Sequence, residues 1–351
     1  MDYTKRLNEL RQHLATLPCD ALLIEHPTHL LYLTGMEVSI GKVVVSQQEA
    51  CLIVDGRYFE KCCQQTLYRT ILSEESALKN WLAEQNIKTV GFDPDKLSYQ
   101  GFLLLSQSLA PAIAVTPVES PVQKMRLIKD AEEIICLKQA ARLGYEGYEY
   151  IVSLLQAGIT ETELAFELEF FWKKRGGKKL AFDPIIAFGA NGSMPHYRAG
   201  STRLQSNTSV LIDIGVVLHH YHSDMTRVVY FGTPPTEIQM IYAIVKEAKQ
   251  RAMELCHPGT LVGELDQTAR SFIASKGYGD YFTHSLGHGV GLDIHEPPTL
   301  RSHGSFSTQP LQTGMVITIE PGIYLSGIGG VRLEDTILIT ETGYENLTEP
   351  Q

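Results

Sequence analysis

Two acidic residues stand where a buried chain segment would not ordinarily carry charge. Asp213 lies inside the apolar run 210–214, and Asp224 comes just before the β-forming residues 226–231. We expect these runs to pair as a hairpin with its tip at residues 219–223, which brings the two carboxylates together. Because buried carboxylates repel each other, a divalent cation between them is favoured. The alternative, two Asp residues that cap turns at strand ends, requires the same coincidence twice.

The second half of the chain adds further candidates for chemistry. Glu320 ends the apolar run 316–319, and Glu334 lies in a β-rich run beside Arg332. A single buried Glu next to an arginine is also typical of a structural ion pair. Segment 283–296 contains three histidines among small residues, namely His284, His288 and His295.

Together these positions form a ligand set that is hard to attribute to coincidence. Four carboxylates and one imidazole can hold two divalent ions when some carboxylates bridge. An oxygen-rich set favours Mn²⁺, or Co²⁺, over a tetrahedral thiolate zinc site, and Zn²⁺ is also compatible. The predicted ligands are Asp213, Asp224, His288, Glu320 and Glu334.

Other catalytic signatures are absent from the sequence. His295 and Glu296 do not open a zinc-binding H-E-x-x-H helix, because Pro297 and Pro298 follow and residue 299 is not histidine. No G-x-S-x-G elbow or P-loop occurs. The three histidines of the hairpin tip, His219, His220 and His222, are expected to be exposed, since turns lie at the surface.

Composition indicates a globular protein in a reducing compartment. The 351 residues carry a net charge of −10, which argues against nucleic acid or an anionic membrane as partner. No apolar run is long enough to span a membrane, and the first ten residues lack the apolar core of a secretory signal. The six cysteines form no C-x-x-C pair. We therefore expect a cytoplasmic protein with reduced thiols.

The length predicts two domains, with a boundary in the proline-containing segment 116–123. Residues 1–120 alternate short helical and strand patterns, which predicts a small α/β domain. Residues 121–351 begin with a long helical pattern over 125–155, and residues 129–133 mark the start of its helix. Two helices followed by strands then occur twice along this second domain, an order that indicates an internal duplication.

Four segments of the second domain resemble one enzyme family. DIG…SDMTR, THSLGHGVGLDIHE, ITIEPGIY and VRLEDT are similar to the motifs of the metallopeptidase family of aminopeptidase P, prolidase and methionyl aminopeptidase. The resemblance covers roughly residues 122–349. It implies an α/β (α+β) chain whose pita-bread catalytic domain follows a smaller N-terminal domain of the creatinase/prolidase type. Methionyl aminopeptidases generally lack such an N-terminal domain.

The resemblance also implies roles for individual residues. Asp213 would bind one ion, His288 and Glu320 the other, and Asp224 and Glu334 would bridge them. A water activated between the ions would attack the peptide carbonyl, with Glu320 as proton carrier. Substrate-facing roles would fall to His196 in the loop 191–197, to His284 and to His295. Arg332 would orient the carboxylates.

The implied substrates are proline-containing peptides, and two features separate the branches of the family. Prolidases often carry an arginine four residues after the second histidine, where Thr299 stands here, and the nearest arginine is Arg301. We therefore expect an Xaa-Pro aminopeptidase (aminopeptidase P), with an Xaa-Pro dipeptidase (prolidase) as the alternative. His220 stands where the family often has glycine, so the hairpin tip is bulkier.

Two further hypotheses belong to other classes. A non-catalytic peptide-binding protein on the same fold would have lost one of the metal ligands, and all five are present. A metal-free hydrolase that resembles creatinase is disfavoured on the same ground. The resemblance also implies a homodimer.

Overall fold

The computed structural model describes residues 1–349 and divides the chain into two compact units, Met1–Arg126 and Leu127–Gln351. Residues 350 and 351, which the expected domain 121–351 includes, lie outside the described residues. The segment 116–123, expected to be a linker, contains the end of one strand and the start of the helix Pro121–Leu127.

The first unit is built on one mixed six-stranded sheet. Its central strands are buried because they consist of β-branched and other apolar residues, with Val43, Val44 and Val45 fully inaccessible to solvent. The strand order is β4-β3-β2-β1-β5-β6. The strands are β1 Ala21–Ile24, β2 Lys42–Ser46, β3 Ala50–Val54, β4 Arg69–Leu72, β5 Thr89–Phe92 and β6 Ala114–Pro117. The helices are α1 Tyr3–Leu14, α2 Pro27–Thr34, α3 Gly56–Gln65, α4 Ala77–Glu84 and α5 Tyr99–Leu109.

The helical pattern expected over 125–155 is divided into two helices. The first, α6, is Pro121–Leu127, and α7 starts at Ala131 because Asp130 caps it. Asp130 accepts hydrogen bonds from the backbone of Glu132 and Glu133, and the Glu133 side chain accepts from Asp130 N, a complete capping box. The start predicted at residues 129–133 is therefore confirmed, whereas residues 125–127 belong to the preceding helix. The remaining helices are α7 Ala131–Ser153, α8 Glu161–Lys174, α9 Thr236–Glu254 and α10 Val262–Ser275.

The strands of the second unit form several antiparallel sheets. The sheet β12-β9-β8 and the sheet β14-β13-β15-β18-β19 carry most of the candidate site, and β16 pairs with β17. An isolated bridge between Thr226 and Glu334 links the first two sheets. The strands are β7 Lys179–Leu180, β8 Ile185–Phe188, β9 Thr208–Ile214, β10 Val216–Leu218, β11 Tyr221–His222, β12 Met225–Phe231, β13 Gly287–Gly289, β14 Glu296–Leu300, β15 Val316–Ile319, β16 Gly322–Leu325, β17 Gly329–Arg332, β18 Asp335–Ile339 and β19 Tyr344–Asn346.

Helix pairs cover these sheets with apolar faces. Trp172 of α8 is buried, and its indole Nε1 donates a hydrogen bond to Leu143 O of α7 at 2.9 Å. Ile238, Ile241 and Val245 recur at helical spacing along α9 and are fully buried in a second cluster. The predicted α/β architecture is confirmed. No helix among residues 1–349 is long and apolar enough to cross a membrane.

The expected hairpin between residues 211 and 227 forms, but its tip is shorter than predicted. His219 and His220 alone make the turn, both with positive φ (49° and 72°), the backbone geometry of a two-residue hairpin turn. His222 therefore lies in β11 and is buried, with 7% of its surface exposed. Its ring Nδ1 lies 3.1 Å from Gly291 O. The prediction that His222 is exposed was wrong, because it assigned five residues to a turn that needs two.

Candidate metal centre and active site

A single cavity of about 560 Å³ in the second unit collects the candidate residues. Its wall combines strand ends from two sheets with the loop after β8. The residues singled out in the sequence that line it are His196, Asp213, Asp224, His284, His288, His295, Glu320, Arg332 and Glu334. Residues from separate parts of the chain thus meet in one place.

The acids occupy the ends of strands, where backbone pairing fixes their positions. Asp213 is the penultimate residue of β9 and stands opposite Thr226 in the antiparallel register with β12. Asp224 immediately precedes β12, so it is close to Asp213 without facing it across the ladder. Glu320 follows β15, and Glu334 lies between β17 and β18.

His288 faces the carboxylates through one ring nitrogen. Its Nδ1 lies 2.9 Å from Gly289 O, a carbonyl acceptor, so Nδ1 carries the proton and Nε2 keeps its lone pair. That Nε2 lies 3.3 Å from Glu320 Oε1 and 3.6 Å from Asp224 Oδ2. One possible metal-ligand atom from each of Asp224, His288 and Glu334 lies within 4.8 Å of the other two. This is the tautomer and the spacing that a metal-binding imidazole requires.

Asp213 has one oxygen paired and one without a partner. Its Oδ2 accepts a charge-assisted hydrogen bond from Arg332 Nη2, which is itself buried. Its Oδ1 is buried and has no hydrogen-bond partner among the described residues. A buried carboxylate oxygen without a donor is costly, so Oδ1 is a position that a cation would satisfy.

The pKa values show how strongly the protein alone resists this concentration of negative charge. Burial, and then repulsion from Glu334, raise the pKa of Asp224 and of Glu320 well above their ordinary ranges. Burial and Asp213 raise the pKa of Glu334 to about 8. Burial lowers the pKa of His288 to about 4, with a further contribution from His295, so the imidazole is neutral at pH 7. Neutral imidazole and clustered carboxylates fit divalent cations, which favour the deprotonated acids.

A chain of hydrogen bonds connects Arg332, Tyr324 and His284 beside the carboxylate cluster. Arg332 Nη1 donates to Tyr324 Oη at 2.7 Å, and Tyr324 Oη lies 2.8 Å from His284 Nε2. His284 Nδ1 lies 2.8 Å from Ser285 O, so the proton is on Nδ1 and the Tyr324 hydroxyl donates to Nε2. Burial, and then Arg332, lower the pKa of His284 to about 4. Both ring nitrogens of His284 are therefore engaged within the protein.

Two other histidines have more open positions on the cavity wall. His196 and His295 are exposed, and the ring of His295 packs edge-on against that of His288 with centroids 4.3 Å apart. The ring of His295 is nevertheless partly enclosed by its neighbours, and this partial burial, and then His196, lower its pKa. Both residues therefore border the cavity with accessible side chains.

Sequence reasoning missed several residues of the cavity. Arg198 lines it and was not predicted, and Arg301, which was noted in the sequence but given no site role, lines it together with Thr299. Tyr324 supports it, as described above, and Thr226 contacts Glu334. Arg198 directly follows the loop 191–197 that contains His196, but a loop sequence gives no periodicity from which to predict the direction of a side chain. Tyr324 lies within the segment ITIEPGIY, eight positions before Arg332.

Comparisons with known proteins agree with the geometry. Residues 135–341 match the model of metallopeptidase family M24, and residues 6–128 match the creatinase/prolidase N-terminal domain. An Xaa-Pro dipeptidase of Pyrococcus horikoshii is 36% identical over 333 residues, which covers 95% of this chain and 93% of that protein.

Solved structures match the complete architecture. An Xaa-Pro dipeptidase from Bacillus anthracis has a TM-score of 0.93 and 34% identity, covering 100% of this chain and 98% of the other. An X-Pro aminopeptidase from Thermotoga maritima has a TM-score of 0.89 and 32% identity, covering 97% and 98%. The expected pita-bread fold with its smaller N-terminal domain is confirmed. The chain belongs to metallopeptidase family M24 and is a metallo-exopeptidase.

Proposed function

We propose that this chain is an Xaa-Pro dipeptidase that hydrolyses the bond between an N-terminal residue and a C-terminal proline. The sequence favoured aminopeptidase P and kept the dipeptidase as the alternative; the named relatives support the dipeptidase better. The observation that carries the proposal is the place of Arg301 on the cavity wall beside Thr299. The preference for aminopeptidase P rested on the absence of arginine at position 299, and Arg301 supplies a guanidinium to the same wall.

The ligands proposed for two divalent ions are the four carboxylates and the imidazole predicted from the sequence. Asp213 would bind one ion, His288 and Glu320 the other, and Asp224 and Glu334 would bridge. The free Oδ1 of Asp213 and the Asp224–His288–Glu334 cluster support this assignment. Mn²⁺ is the favoured ion, with Co²⁺ or Zn²⁺ as alternatives, because the donors are mainly carboxylate oxygens.

The bound ions would lower the pKa of a water and polarise the peptide carbonyl. The chain's own groups do the rest. Glu320 would take a proton at its carboxylate and return it to the departing proline nitrogen. His295 and His196, with accessible rings on the cavity wall, would steady the developing negative charge on the carbonyl oxygen. His284, with both nitrogens engaged, would act on the substrate only through Tyr324 and Arg332.

Recognition of the substrate would use its C-terminal carboxylate and its Xaa-Pro bond. A C-terminal carboxylate calls for a fixed cation, and Arg301 is the proposed partner because guanidinium groups bind carboxylates in a bidentate manner. An Xaa-Pro bond is a tertiary amide without an N–H, so a site that binds it must use the carbonyl and the ring.

We also propose that the domains comprise residues 1–120 and 121–351, that the protein is a homodimer, and that it is located in the cytoplasm.

The test compares substrates that differ only at the C-terminus. The metal-loaded protein is assayed with Gly-Pro, Gly-Pro amide and a longer Gly-Pro-X-X peptide. We expect Gly-Pro to be cleaved with the highest kcat/KM, and the amide to be a poorer substrate because it lacks the charge that Arg301 binds. The variant Arg301→Met should lose most of this preference. Release of glycine from the long peptide alone would overturn the dipeptidase assignment.

A second candidate, aminopeptidase P, keeps one specific observation in its favour. The X-Pro aminopeptidase from Thermotoga maritima shares the complete architecture with this chain. Efficient cleavage of the long peptide, unaffected by Arg301→Met, is the outcome that this candidate requires.

A further inference from the structure

We propose that Glu161 is a positioning residue that fixes the loop 189–200 and thereby places His196 in the cavity. Glu161 is the first residue of α8 and does not line the cavity. The proposal rests on the proposed function, because it assigns His196 a contact with the substrate.

The Glu161 carboxylate accepts hydrogen bonds from the last residue of β8 and from three points of the loop. Its Oε1 accepts from Phe188 N and Asn191 Nδ2, both at 2.8 Å. Its Oε2 accepts from Tyr197 Oη at 2.7 Å and from Gly200 N at 3.0 Å. A single side chain therefore binds the start, the middle and the end of the segment that carries His196.

The carboxylate is a deeply buried charge that the local structure tolerates. Glu161 has no exposed surface. Four donors fill the acceptor sites of its two oxygens, and its position in the first turn of α8 places it at the positive end of the helix dipole. An ion that is buried and fully hydrogen-bonded fixes its partners firmly, since each would lose a charge-assisted bond on moving.

Glu161 acts on His196 through the adjacent residue, Tyr197. Tyr197 directly follows His196, and its hydroxyl is held both by Glu161 Oε2 and by Asn191 Nδ2 at 2.9 Å. Burial, and then the hydrogen bond to Glu161, raise the pKa of Tyr197, so the phenol keeps its proton and donates. Movement of this ring moves the backbone of the adjacent histidine.

Other contacts limit what Glu161 alone controls. Thr162 Oγ1 and Thr162 N both donate to Gly200 O, at 2.8 and 3.0 Å, so the far end of the loop has a second attachment. A Cβ at Gly200 would lie 2.9 Å from Tyr197 Oη, which shows how closely the loop closes there. The hydrogen bonds that depend on Glu161 are those from Phe188, Asn191 and Tyr197.

The chain offers a matched control within the same helical turn. Glu163 is exposed, and its carboxylate accepts hydrogen bonds from Thr160 in the capping box of α8. Glu163→Gln keeps this box, since glutamine also serves in it. Glu161→Gln is different: whichever way the amide is turned, its N–H₂ group faces the backbone N–H of Phe188 or of Gly200.

The measurement is kcat and KM of the full, metal-loaded chain with Gly-Pro. We expect Glu161→Gln to lower kcat/KM about tenfold to a hundredfold, mainly through kcat, because a small misplacement of a substrate contact has this cost. Glu163→Gln should remain close to the wild type, and Tyr197→Phe should show a smaller loss in the same parameter. If Glu161→Gln does not fold, Tyr197→Phe decides the question alone. Equal activity of the Glu161 and Glu163 variants overturns the proposal.

Two further readouts separate positioning from a general structural role. If Glu161 acts through His196, the loss in the double variant Glu161→Gln/His196→Ala is smaller than the product of the single losses. Losses that multiply contradict the proposal. Hydrogen exchange of the segment 188–200 should also be faster in Glu161→Gln and unchanged in Glu163→Gln. This exchange is independent of the substrate, so it decides on Glu161 even if Gly-Pro is not cleaved, an outcome that would count against the proposed function instead.

Discussion

Two hydrogen bonds join Thr226 and Glu334 across two sheets of the second unit, Leu127–Gln351, which is the catalytic unit. The Thr226 hydroxyl donates to Glu334 Oε2 at 2.6 Å, and Glu334 N donates to Thr226 O at 3.1 Å. The same hydroxyl accepts from Arg332 Nε at 3.3 Å. A threonine opposite Asp213 in the strand register therefore fixes a second carboxylate of the cluster.

Thr226→Val is expected to weaken metal binding without removing a ligand. The hydroxyl lowers the pKa of Glu334, so its loss lets protons compete more strongly with the metal at neutral pH. We expect the metal concentration for half-maximal activity to rise about tenfold to a hundredfold, while excess metal restores kcat. Thr260→Val, at a buried threonine outside the cavity, is the control. An unchanged metal requirement in Thr226→Val would contradict this view.

His295 and Asp224 should fail in different ways. His295→Ala removes the proposed contact to the carbonyl oxygen and should lower kcat about 10²- to 10³-fold with an unchanged metal content. Asp224→Asn removes a proposed bridging ligand and should lose metal and activity together. Elemental analysis of the purified variants, beside kcat with Gly-Pro, distinguishes the two. Loss of metal in His295→Ala would place that histidine in the ligand set.

The metal-free protein should become less stable as the pH rises from 6.5 to 8. The pKa of Glu334 is raised by burial and by Asp213 from its ordinary 4.5 to about 8, and that of Asp224 and of Glu320 is raised by burial and by Glu334. An acid whose folded pKa is raised favours the folded state at low pH, and this contribution is lost as the pH rises towards the folded value.

The histidines have the opposite sign and a different window. Burial lowers the pKa of His284 and His288 to about 4, so they cost stability only as the pH falls below 6.5. The change between pH 6.5 and 8 therefore reports the carboxylates. Thermal unfolding of the chelated protein checks this: Glu334→Gln should flatten the decline, and added Mn²⁺ should reverse it. A melting temperature that rises over this range in the chelated wild type would rule the account out.

Asp335 is expected to be a major contributor to the stability of the catalytic unit. Its Oδ1 accepts from Arg227 Nη2 at 2.7 Å and from Thr348 Oγ1 at 2.9 Å, and its Oδ2 pairs with Lys249 Nζ. Burial alone would raise the pKa of Asp335, but Arg227 and Lys249 outweigh it and the pKa is lowered. Asp335→Asn leaves two partly buried cations without their counter-charge and should cost about 3–5 kcal/mol in the free energy of unfolding.

A surface pair on α9 supplies the control for Asp335. Glu247 and Arg251 form an ion pair whose side chains are each 49% exposed, so Glu247→Gln should cost about 0–1 kcal/mol. Urea unfolding in a Trp81→Phe background leaves Trp172 to report the catalytic unit alone. Equal losses in the two variants would show that Asp335 gains nothing from its burial.

The sequence was most informative where a charge interrupts an apolar run. Asp213, Glu320 and Glu334 could be singled out because buried strands rarely carry an unpaired acid, and all three reach the cavity wall. Short helices and strands of the first unit were predicted from periodicity alone. The pairing of Asp213 with Thr226 was not predictable, because the register depends on the two-residue turn at His219 and His220.

Residues that act through long-range contacts left no local signal. Glu161 reads as an ordinary first-turn acid of a helix, yet its partners lie 27 to 39 positions further along the chain. Arg301 follows a strand and was discounted because it is two positions away from the one expected to carry arginine. Loops lack a period from which to predict direction, so only the tertiary structure brings such residues to a site.

The most direct test of the central claim is proline release from Gly-Pro before and after removal of metal. The protein is stripped with a chelator, freed of it, and assayed alone and with Mn²⁺, Co²⁺ or Zn²⁺ in increasing equivalents. We expect no hydrolysis by the stripped protein and recovery with an added divalent ion, with Asp224→Asn inactive throughout. Unchanged hydrolysis by the stripped wild type would contradict a metal-dependent mechanism, and no hydrolysis with any of the ions would contradict the dipeptidase assignment.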